Sequence, residues 1–279
     1  MKLLAPILAT TCLASSVLAA PRSGLAERMQ ARSMARGSRP LQPHPSESDP
    51  KSNHREEVAS SPNTSHVTYS SNWAGIVREE PPSSGPYTAV SATFQVPKPT
   101  AAASSRGTQA GSAWVGIDGD TYNAAILQTG VDFYVQNGKV SGDAWYEWYP
   151  DYAYDFDLSV SPGDTIVAKV QALSPSQGVA IIENKSTGQK ATQTISAPEA
   201  TATLAGQNAD WIVEDFQAGD EQVALTDFGT VTFTGAQAQG GGQTVGVQDG
   251  TVIELKQNDQ VMTEVDVQSD TKFSVTYIG

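Results

Sequence analysis

Apolar and polar residues alternate along most of the chain after residue 66, in short stretches separated by Gly, Pro, Asn and Ser. Such alternation predicts β-strands, and turn sequences such as Asn137-Gly138 and Ser161-Pro162-Gly163-Asp164 fall between them. No segment sustains the 3.6-residue period of a helix, so helix should be scarce. The predicted strands are Tyr87–Val96, Ser112–Ile117, Ala125–Val135, Ala144–Tyr149, Thr165–Ala172, Gly178–Asn184, Gln189–Ile195, Ala209–Phe216, Gly229–Thr234, Val252–Gln257 and Lys272–Ile278.

These strands predict a single all-β domain over residues 66–279, either a sandwich or a barrel. The architecture we expect is an antiparallel β-sandwich of the jelly-roll or lectin-like type, with little helix. With no Cys after residue 12, its stability has to come from its core. A domain of this size buries enough apolar surface to fold on that basis.

The first twenty residues have the pattern of a secretory signal peptide. Lys2 supplies a positive start, an apolar stretch runs to Leu18, and small residues precede the end at Ala20. The alternative is a membrane anchor, but Thr and Ser interrupt the stretch and it is shorter than the roughly 20 apolar residues that a span requires. We expect 1–20 to be removed and the product to be secreted, extracellular and without a membrane partner.

Residues 21–65 carry the opposite charge from the rest of the chain. They hold seven Lys and Arg against five acids, a net charge of +2, whereas residues 66–279 hold nine against 25, a net charge of −16. The segment is rich in Ser and Pro and poor in large apolar residues, so it should be largely disordered when free. It is either a linker or, as we favour, a basic pro-segment that masks acids of the domain and acts as an intramolecular inhibitor.

The positions of Cys and His exclude several kinds of active site. The chain has one Cys, Cys12, and three His, all before residue 67. A processed domain would therefore lack a Cys nucleophile, a Ser-His-Asp triad and a His or Cys zinc site. The acidic charge also argues against a nucleic-acid partner, because that needs clustered Lys and Arg. Carboxylates, amides, hydroxyls and aromatic rings remain for chemistry.

Three predicted strands place acids and aromatic rings on one face, because successive side chains of a strand point to opposite faces. These sets are Gln128, Gly130, Asp132 and Tyr134; Asp143, Trp145, Glu147 and Tyr149; and Ile212, Glu214 and Phe216. Gly130 would leave room for a ligand backbone to approach. Glu214 has apolar neighbours on both sides, which should raise its pKa by desolvation, as a general acid or base requires.

Each of these strands alone is more often a solvated outer face, and Trp residues are more often core than substrate platforms. Together they favour a carboxylate-based site, which fits two mechanisms. A glycosidase would use two carboxyls flanking a sugar. A carboxyl peptidase would use a carboxylate to deprotonate water and a neutral donor to polarise the peptide carbonyl. The Asp-Thr-Gly motif of aspartic peptidases is absent, and Gln128-Thr129-Gly130 is its nearest equivalent.

Several longer strings resemble the fungal glutamic peptidases, or eqolisins. They are Ser71-Asn72-Trp73-Ala74-Gly75, Ala113-Trp114-Val115-Gly116-Ile117-Asp118-Gly119-Asp120, Ile126-Leu127-Gln128-Thr129-Gly130, Asp143-Ala144-Trp145-Tyr146-Glu147-Trp148-Tyr149-Pro150 and Ile212-Val213-Glu214-Asp215-Phe216. The likeness runs through nearly all of residues 67–279. It implies a secreted β-sandwich acid endopeptidase that is made as a preproprotein and is insensitive to pepstatin. The chain departs from many members in having Tyr122 where a Cys often stands, and so lacks their disulfides.

The resemblance also implies residue roles. Gln128 and Glu214 would be the catalytic pair, with Glu214 as general base on water and Gln128 as oxyanion donor. The residues that would support substrate binding are Trp114, Asp118, Asp132, Asp143 and Glu147. No metal or cofactor is implied, the partners are protein or peptide substrates, and we expect a monomer.

Two further hypotheses remain open at this point, together with one modification site. A glycan-binding or glycan-cleaving sandwich would use Trp145, Tyr149 and Tyr152 as stacking platforms. A non-catalytic secreted wall protein is the other possibility. Asn184-Lys185-Ser186 is an acceptor sequence for N-glycosylation, so Asn184 is the predicted glycan site.

Overall fold

The computed structural model describes residues 36–45, 67–102, 107–219 and 221–279, and the signal peptide predicted for 1–20 lies outside them. Within these ranges the chain forms 21 β-strands and no α-helix. The strands are β1 (Arg36–Gly37), β2 (Val67–Ser70), β3 (Trp73–Arg78), β4 (Tyr87–Gln95), β5 (Gln109–Ile117), β6 (Ile126–Gln136), β7 (Lys139–Tyr149), β8 (Tyr154–Val160), β9 (Thr165–Ser174), β10 (Gln177–Asn184), β11 (Gln189–Ser196), β12 (Ala209–Glu214), β13 (Gln217–Ala218), β14 (Glu221–Gln222), β15 (Ala224–Leu225), β16 (Thr230–Gly240), β17 (Gln243–Val245), β18 (Thr251–Gln257), β19 (Gln260–Val261), β20 (Thr263–Ser269) and β21 (Lys272–Tyr277).

Two large sheets make up the sandwich. The first, which we call the outer sheet, has the strand order β11-β10-β9-β4-β16-β21-β20, with β17 paired to β16. The second, which we call the site sheet, has the order β19-β18-β3-β12-β5-β6-β7-β8, with β15 and β2 paired to β5 and β18. Neighbouring strands along both orders are antiparallel, while β15 and β2 run parallel to their partners. The prediction of an antiparallel β-sandwich is confirmed.

The core lies between the inner faces of the two sheets. On β6 it takes Leu127, Val131 and Phe133, the face that strand alternation assigned to the interior. Phe94 and Phe233 of the outer sheet pack against each other in the same core, with ring centroids 5.4 Å apart. Burial of this apolar surface is the main stabilising contribution in a domain without Cys.

Four strands of four or more residues escaped the sequence analysis, namely β2, β3, β8 and β20. The residues of β3 are buried on both faces up to Val77, so its sequence shows no alternation of apolar and polar positions. Several predicted ends were also wrong, including the starts of β5 and β7, which lie at Gln109 and Lys139 instead of Ser112 and Ala144. β16 continues to Gly240 instead of ending at Thr234, and β12 ends at Glu214 instead of Phe216. Within the described residues, no helix is long and apolar enough to cross a membrane.

Candidate active site

The outward face of the site sheet carries three rows of side chains that run across β12, β5, β6 and β7. Cross-strand pairing fixes these rows as Glu214–Ser112–Asp132–Asp143, Ile212–Trp114–Gly130–Trp145 and Asp210–Gly116–Gln128–Glu147. All of these residues except Asp143 are buried. An outward sheet face would ordinarily meet water, so something must cover this one. We call it the groove face.

Residues 36–45, which belong to the predicted pro-segment, cover the groove face. Arg36 enters a buried pocket, where its Nε and Nη2 donate to the two Asp132 carboxylate oxygens at 3.1 Å and its Nη1 donates to Glu147 Oε2 at 2.7 Å. The guanidinium carbon lies 3.8 Å from the Trp145 ring centroid and 4.8 Å from that of Phe216. A planar cation paired with two carboxylates between two rings is the arrangement to which Arg is best suited.

Ser38 and Arg39 contact the second carboxylate of the groove face. The Ser38 hydroxyl donates to Glu214 Oε2 at 2.7 Å, and the Arg39 backbone N–H donates to Glu214 Oε1 at 3.3 Å. The indole N–H of Trp114 also donates to Glu214 Oε2, at 2.9 Å. The Ser38 backbone N–H donates to both oxygens of Glu147, at 3.1 and 3.2 Å. A peptide backbone therefore lies between the two buried glutamates.

The rest of the segment is held by backbone hydrogen bonds at the edge of the groove. Leu41 N–H donates to the Gly119 carbonyl at 2.9 Å, and Gln42 N–H donates to Asn72 Oδ1 at 2.9 Å. The Asn72 amide nitrogen in turn donates to the Pro40 carbonyl at 3.2 Å. These contacts depend little on side-chain identity, as expected for a groove that binds extended peptide.

Burial raises the pKa of both glutamates. The pKa of Glu147 is raised to about 8, with burial as the main cause and the nearby Arg36 acting in the opposite direction. The pKa of Glu214 is raised to about 7 by burial, again against Arg36 and against its hydrogen bonds to Ser38, Arg39 and Trp114. The prediction that desolvation raises the pKa of Glu214 is confirmed.

The side-chain amide of Gln128 is buried on the same face, two strands from β12. Neither its nitrogen nor its oxygen has a hydrogen-bond partner among the described residues. A buried amide without partners costs free energy, so such groups are rare in proteins and usually have a function. An amide nitrogen held free in this way can donate to a substrate oxygen.

Comparisons with known proteins identify the family of this chain. The peptidase A4 family profile matches residues 71–277. The chain belongs to the peptidase A4 family. It is 44% identical to aspergillopepsin-2 of Aspergillus niger over 98% of both chains, and 38% identical to scytalidopepsin B of Scytalidium lignicola over 77% of this chain and 81% of the other. Scytalido-glutamic peptidase, solved with a transition state analog inhibitor, aligns with a TM-score of 0.67 and 38% identity over 75% of this chain and 98% of its own.

The resemblance to the glutamic peptidases is thus confirmed, and this A4 peptidase is a hydrolase of peptide bonds. That finding decides between the carboxylate mechanisms left open by the sequence. It also removes the glycan-cleaving and non-catalytic hypotheses as main functions.

In this A4 peptidase, the side chain of Asp118 binds the backbone of the protein itself. Its carboxylate is fully buried and accepts four backbone N–H bonds, from Ala205, Gly206, Gln207 and Asn208. It therefore fixes the chain that leads into β12, the strand that carries Glu214. Asp118 was predicted to support substrate binding, and the structure places no hydrogen bond between its side chain and residues 36–45.

Asp143 lies at the far end of the Glu214 row and is only partly buried. Together with Tyr134, Phe216 and Glu221 it lines a cavity of about 550 Å³ beside Arg36. The supporting role of Asp143 stays a prediction.

Gly130 does not have the role expected from the sequence. A Cβ atom at this position would lie 2.3 Å from the Ala113 carbonyl oxygen and 2.5 Å from the Trp114 Cβ. The expectation that Gly130 leaves room for a ligand backbone was wrong. The space is used by the chain itself, and it allows Trp114 to pack across the face and reach Glu214.

The predicted glycan site Asn184 is fully buried in this structure. Its amide nitrogen donates to the Ser159 carbonyl at 3.1 Å and to Asp164 Oδ2 at 2.8 Å, and its Oδ1 accepts the N–H groups of Ser186 and Thr187. A glycan on that nitrogen would have to replace both donated bonds. The residue holds the turn between β10 and β11 in place.

Sequence reasoning missed three residues of the groove. Arg36 and Ser38 make direct contacts to the buried acids, and Ser112 accepts the indole N–H of Trp145 at 3.2 Å. The opposite charges of residues 21–65 and of the domain indicated that a basic residue would contact the acids. They did not indicate which of the seven basic residues it would be. Within the described residues, no group of three or more His, Cys, Asp and Glu is arranged to hold a metal ion.

Proposed function

We propose that this A4 peptidase is a secreted acid endopeptidase in which Glu214 and Gln128 form the catalytic pair. The observation that carries the proposal is the peptide backbone bound to Glu214. Residues 38 and 39 direct a hydroxyl and a backbone N–H at its two oxygens, at 2.7 and 3.3 Å. A carboxylate in this position is within reach of the atoms of a peptide bond that must exchange protons.

In the proposed reaction, ionised Glu214 accepts a proton from water, and the oxygen of that water attacks the carbonyl carbon of the substrate. The amide nitrogen of Gln128 donates to the oxyanion that develops, which a neutral donor can do at any pH. Glu214, now protonated, then delivers the proton to the leaving amine as the C–N bond breaks. The indole N–H of Trp114 orients the carboxylate throughout.

The chain is made as a preproprotein in this proposal, with 1–20 as signal peptide, 21–65 as pro-segment and 66–279 as a monomeric catalytic domain. The contacts of residues 36–45 support an inhibitory role for the pro-segment. Arg36 is a buried cation that pairs with Asp132 and Glu147, while Ser38 and Arg39 contact Glu214. A segment in this position excludes substrate from the groove.

Acid favours release of the segment through these same ion pairs. As the pH falls through the raised pKa of Glu147, this carboxylate gains a proton and Arg36 loses the negative charge that it pairs with there. Breaking a buried ion pair from one side costs roughly 3–5 kcal/mol, which would weaken the hold of the segment considerably. Loss of this ion pair supports release of the segment as the pH falls.

Digestion of an unfolded protein tests the proposed function. The acid-activated enzyme is incubated with casein at pH 3.5 in the presence of pepstatin, and the wild type is compared with Glu214→Gln and Gln128→Glu. We expect the wild type to cleave and Glu214→Gln to lose activity by roughly a thousandfold or more. Gln128→Glu should lose roughly a hundredfold or more, because a second acid replaces the neutral donor.

Glu264→Gln is the matched control for Glu214→Gln. Glu264 is an exposed carboxylate on β20 of the outer sheet, so the same chemical change there should leave activity unaltered. Circular dichroism of all variants at pH 3.5 establishes that each one is folded. Activity of Glu214→Gln within tenfold of the wild type, in a folded protein, would refute the assignment.

A further inference from the structure

The Ser38 hydroxyl has the hydrogen bonds that a water molecule bound to Glu214 would have. It donates to Glu214 Oε2 at 2.7 Å and accepts from Arg36 Nη1 at 3.0 Å. The side chain is buried, so the oxygen is held by the protein and not by solvent. In the proposed reaction, the attacking water would make the same hydrogen bond to Glu214 before it loses its proton.

In the peptide bond between Ser38 and Arg39, the leaving nitrogen is in position for hydrolysis, but the place of the attacking water is not free. The Arg39 nitrogen, which would be the leaving amine, is 3.3 Å from Glu214 Oε1. The other oxygen of Glu214, which would hold the attacking water, is occupied by the Ser38 hydroxyl. Each oxygen of the carboxylate thus has a partner from the pro-segment.

The oxyanion donor is not engaged by the segment. Gln128 has no hydrogen-bond partner among the described residues, and these include the carbonyl groups of residues 36–45. A productive substrate would place its carbonyl oxygen on that amide. The segment therefore fills the position of the nucleophile without placing a carbonyl on the donor.

We propose that the Ser38 side chain displaces the attacking water from Glu214, and that this displacement makes the pro-segment an inhibitor instead of a substrate at the Ser38–Arg39 bond. The inference rests on the proposed function of Glu214. Removal of the hydroxyl opens the position to water and lets the carbonyl oxygen of residue 38 move to the Gln128 amide. The oxygen of the water then bonds to the carbonyl carbon of residue 38. The C–N bond to Arg39 then breaks, and Glu214 passes the proton taken from water to the Arg39 amine.

Processing of the full-length secreted protein tests this role. Wild type, Ser38→Ala and Ser38→Thr are held at pH 6, and fragments are mapped by mass spectrometry over time. We expect Ser38→Ala to be cut between residues 38 and 39 and to lose latency roughly tenfold or more faster than the wild type, since a hydrogen bond to a charged group has been removed. Ser38→Thr keeps a hydroxyl and should remain latent and uncut at this bond.

Two further variants distinguish displacement of the water by Ser38 from a role in which Ser38 only holds the segment in the groove. Arg36→Ala removes the buried ion pairs but keeps the hydroxyl, so it should loosen the segment without a cut at 38–39. The double variant Ser38→Ala with Glu214→Gln should remain uncut, which assigns the new cut to Glu214. Absence of a cut at 38–39 in Ser38→Ala would overturn the inference, as would the same cut in Ser38→Thr.

The acid-activated wild-type enzyme is assayed on casein in parallel. If it digests casein while Ser38→Ala stays uncut at 38–39, the role of Ser38 is refuted and the proposed function stands. If it does not digest casein, the proposed function fails and the role of Ser38 fails with it. The two failures are therefore distinguished within one experiment.

Discussion

The two sheets share one core, but their outward faces differ. On the outer sheet, β20 alternates buried Thr263 and Val265 with exposed Glu264 and Asp266. On the site sheet, β12 presents Asp210 and Glu214 outward in the same alternating pattern, yet both are buried. Acids on alternate positions of a strand are therefore compatible with a solvated surface and with a groove. What distinguishes the two is a cover, here residues 36–45 and the tryptophans beneath them.

The difference has an electrostatic consequence. Burial raises the pKa values of Glu147 and Glu214 to about 8 and 7, and it raises the pKa of Asp120 to about 6. Each of these groups holds its proton more tightly in the folded chain than in the unfolded one. The groove face should therefore make the protein sensitive to pH, whereas the outer face should not.

The largest predicted effect is a loss of stability as the pH rises. Between about pH 4 and pH 8 the unfolded chain loses protons that the folded chain retains on Asp120, Glu147 and Glu214, so the free energy of unfolding falls with pH. The fall should be on the order of several kcal/mol, since each unit of pKa shift corresponds to ~1.4 kcal/mol. Urea unfolding of the full chain across this range measures it.

The Glu214→Gln chain is the better material for that measurement, because it should not digest itself. It retains Asp120 and Glu147, and so most of the expected slope. A free energy of unfolding that stays constant or rises between pH 4.5 and pH 8 would contradict the assignment of the buried acids.

The next largest effect concerns the packing beneath the groove. Gly130→Ala should destabilise the protein by about 3 kcal/mol, because the new Cβ would collide with the Ala113 carbonyl and with Trp114. Gly188→Ala in the β10–β11 turn of the outer sheet is the control. That site is open and has φ +74°, so only the backbone cost of about 1–2 kcal/mol applies. Equal losses in thermal unfolding would show that the two faces are packed alike.

The smallest predicted effect is a gain in thermal stability at pH 7. Asp210 is buried without a hydrogen-bond partner for either oxygen among the described residues, and burial raises its pKa well above the ordinary value. Asp210→Asn removes the ionisable group but keeps the shape. We expect Tm at pH 7 to rise by about 2–4 °C, with little change at pH 4.

Asp266→Asn on β20 is the control for Asp210→Asn, because Asp266 is exposed. Its Tm should not change at either pH. A rise of the same size at Asp266 would mean that net charge, and not burial on the groove face, produces the effect.

Much of the fold could be predicted because alternation reports directly on half-buried strands. The faces of β6 and β7 were assigned correctly, since each has an apolar and a polar side. The same reasoning failed for β3, where both faces are buried and Trp73 and Val77 differ little from their neighbours in polarity. The length of β16 was underestimated because Gly235 interrupts its pattern.

For the candidate site, the shared face of its residues could be predicted from the sequence, but their long-range contacts could not. Parity placed Gln128, Glu147 and Glu214 on one face from local sequence alone. The role of Asp118 depends on the chain at 205–208, which is some ninety residues away and leaves no local sign. Arg36 enters the groove through pairing with Asp132, a contact 96 residues distant in sequence. Contacts of that range are set by the folded topology and not by any local pattern.

The pro-segment that covers the groove is part of the same chain, joined to β2 through residues 46–66. A ligand tethered to its own site in this way experiences an effective concentration on the order of millimolar. After one cut in the tether, the same contacts would have to hold at the concentration of the free segment, which dilution lowers without limit. If residues 36–45 inhibit as proposed, the connection at 46–66 would turn a modest affinity into tight inhibition, and a single hydrolysis there would make activation irreversible.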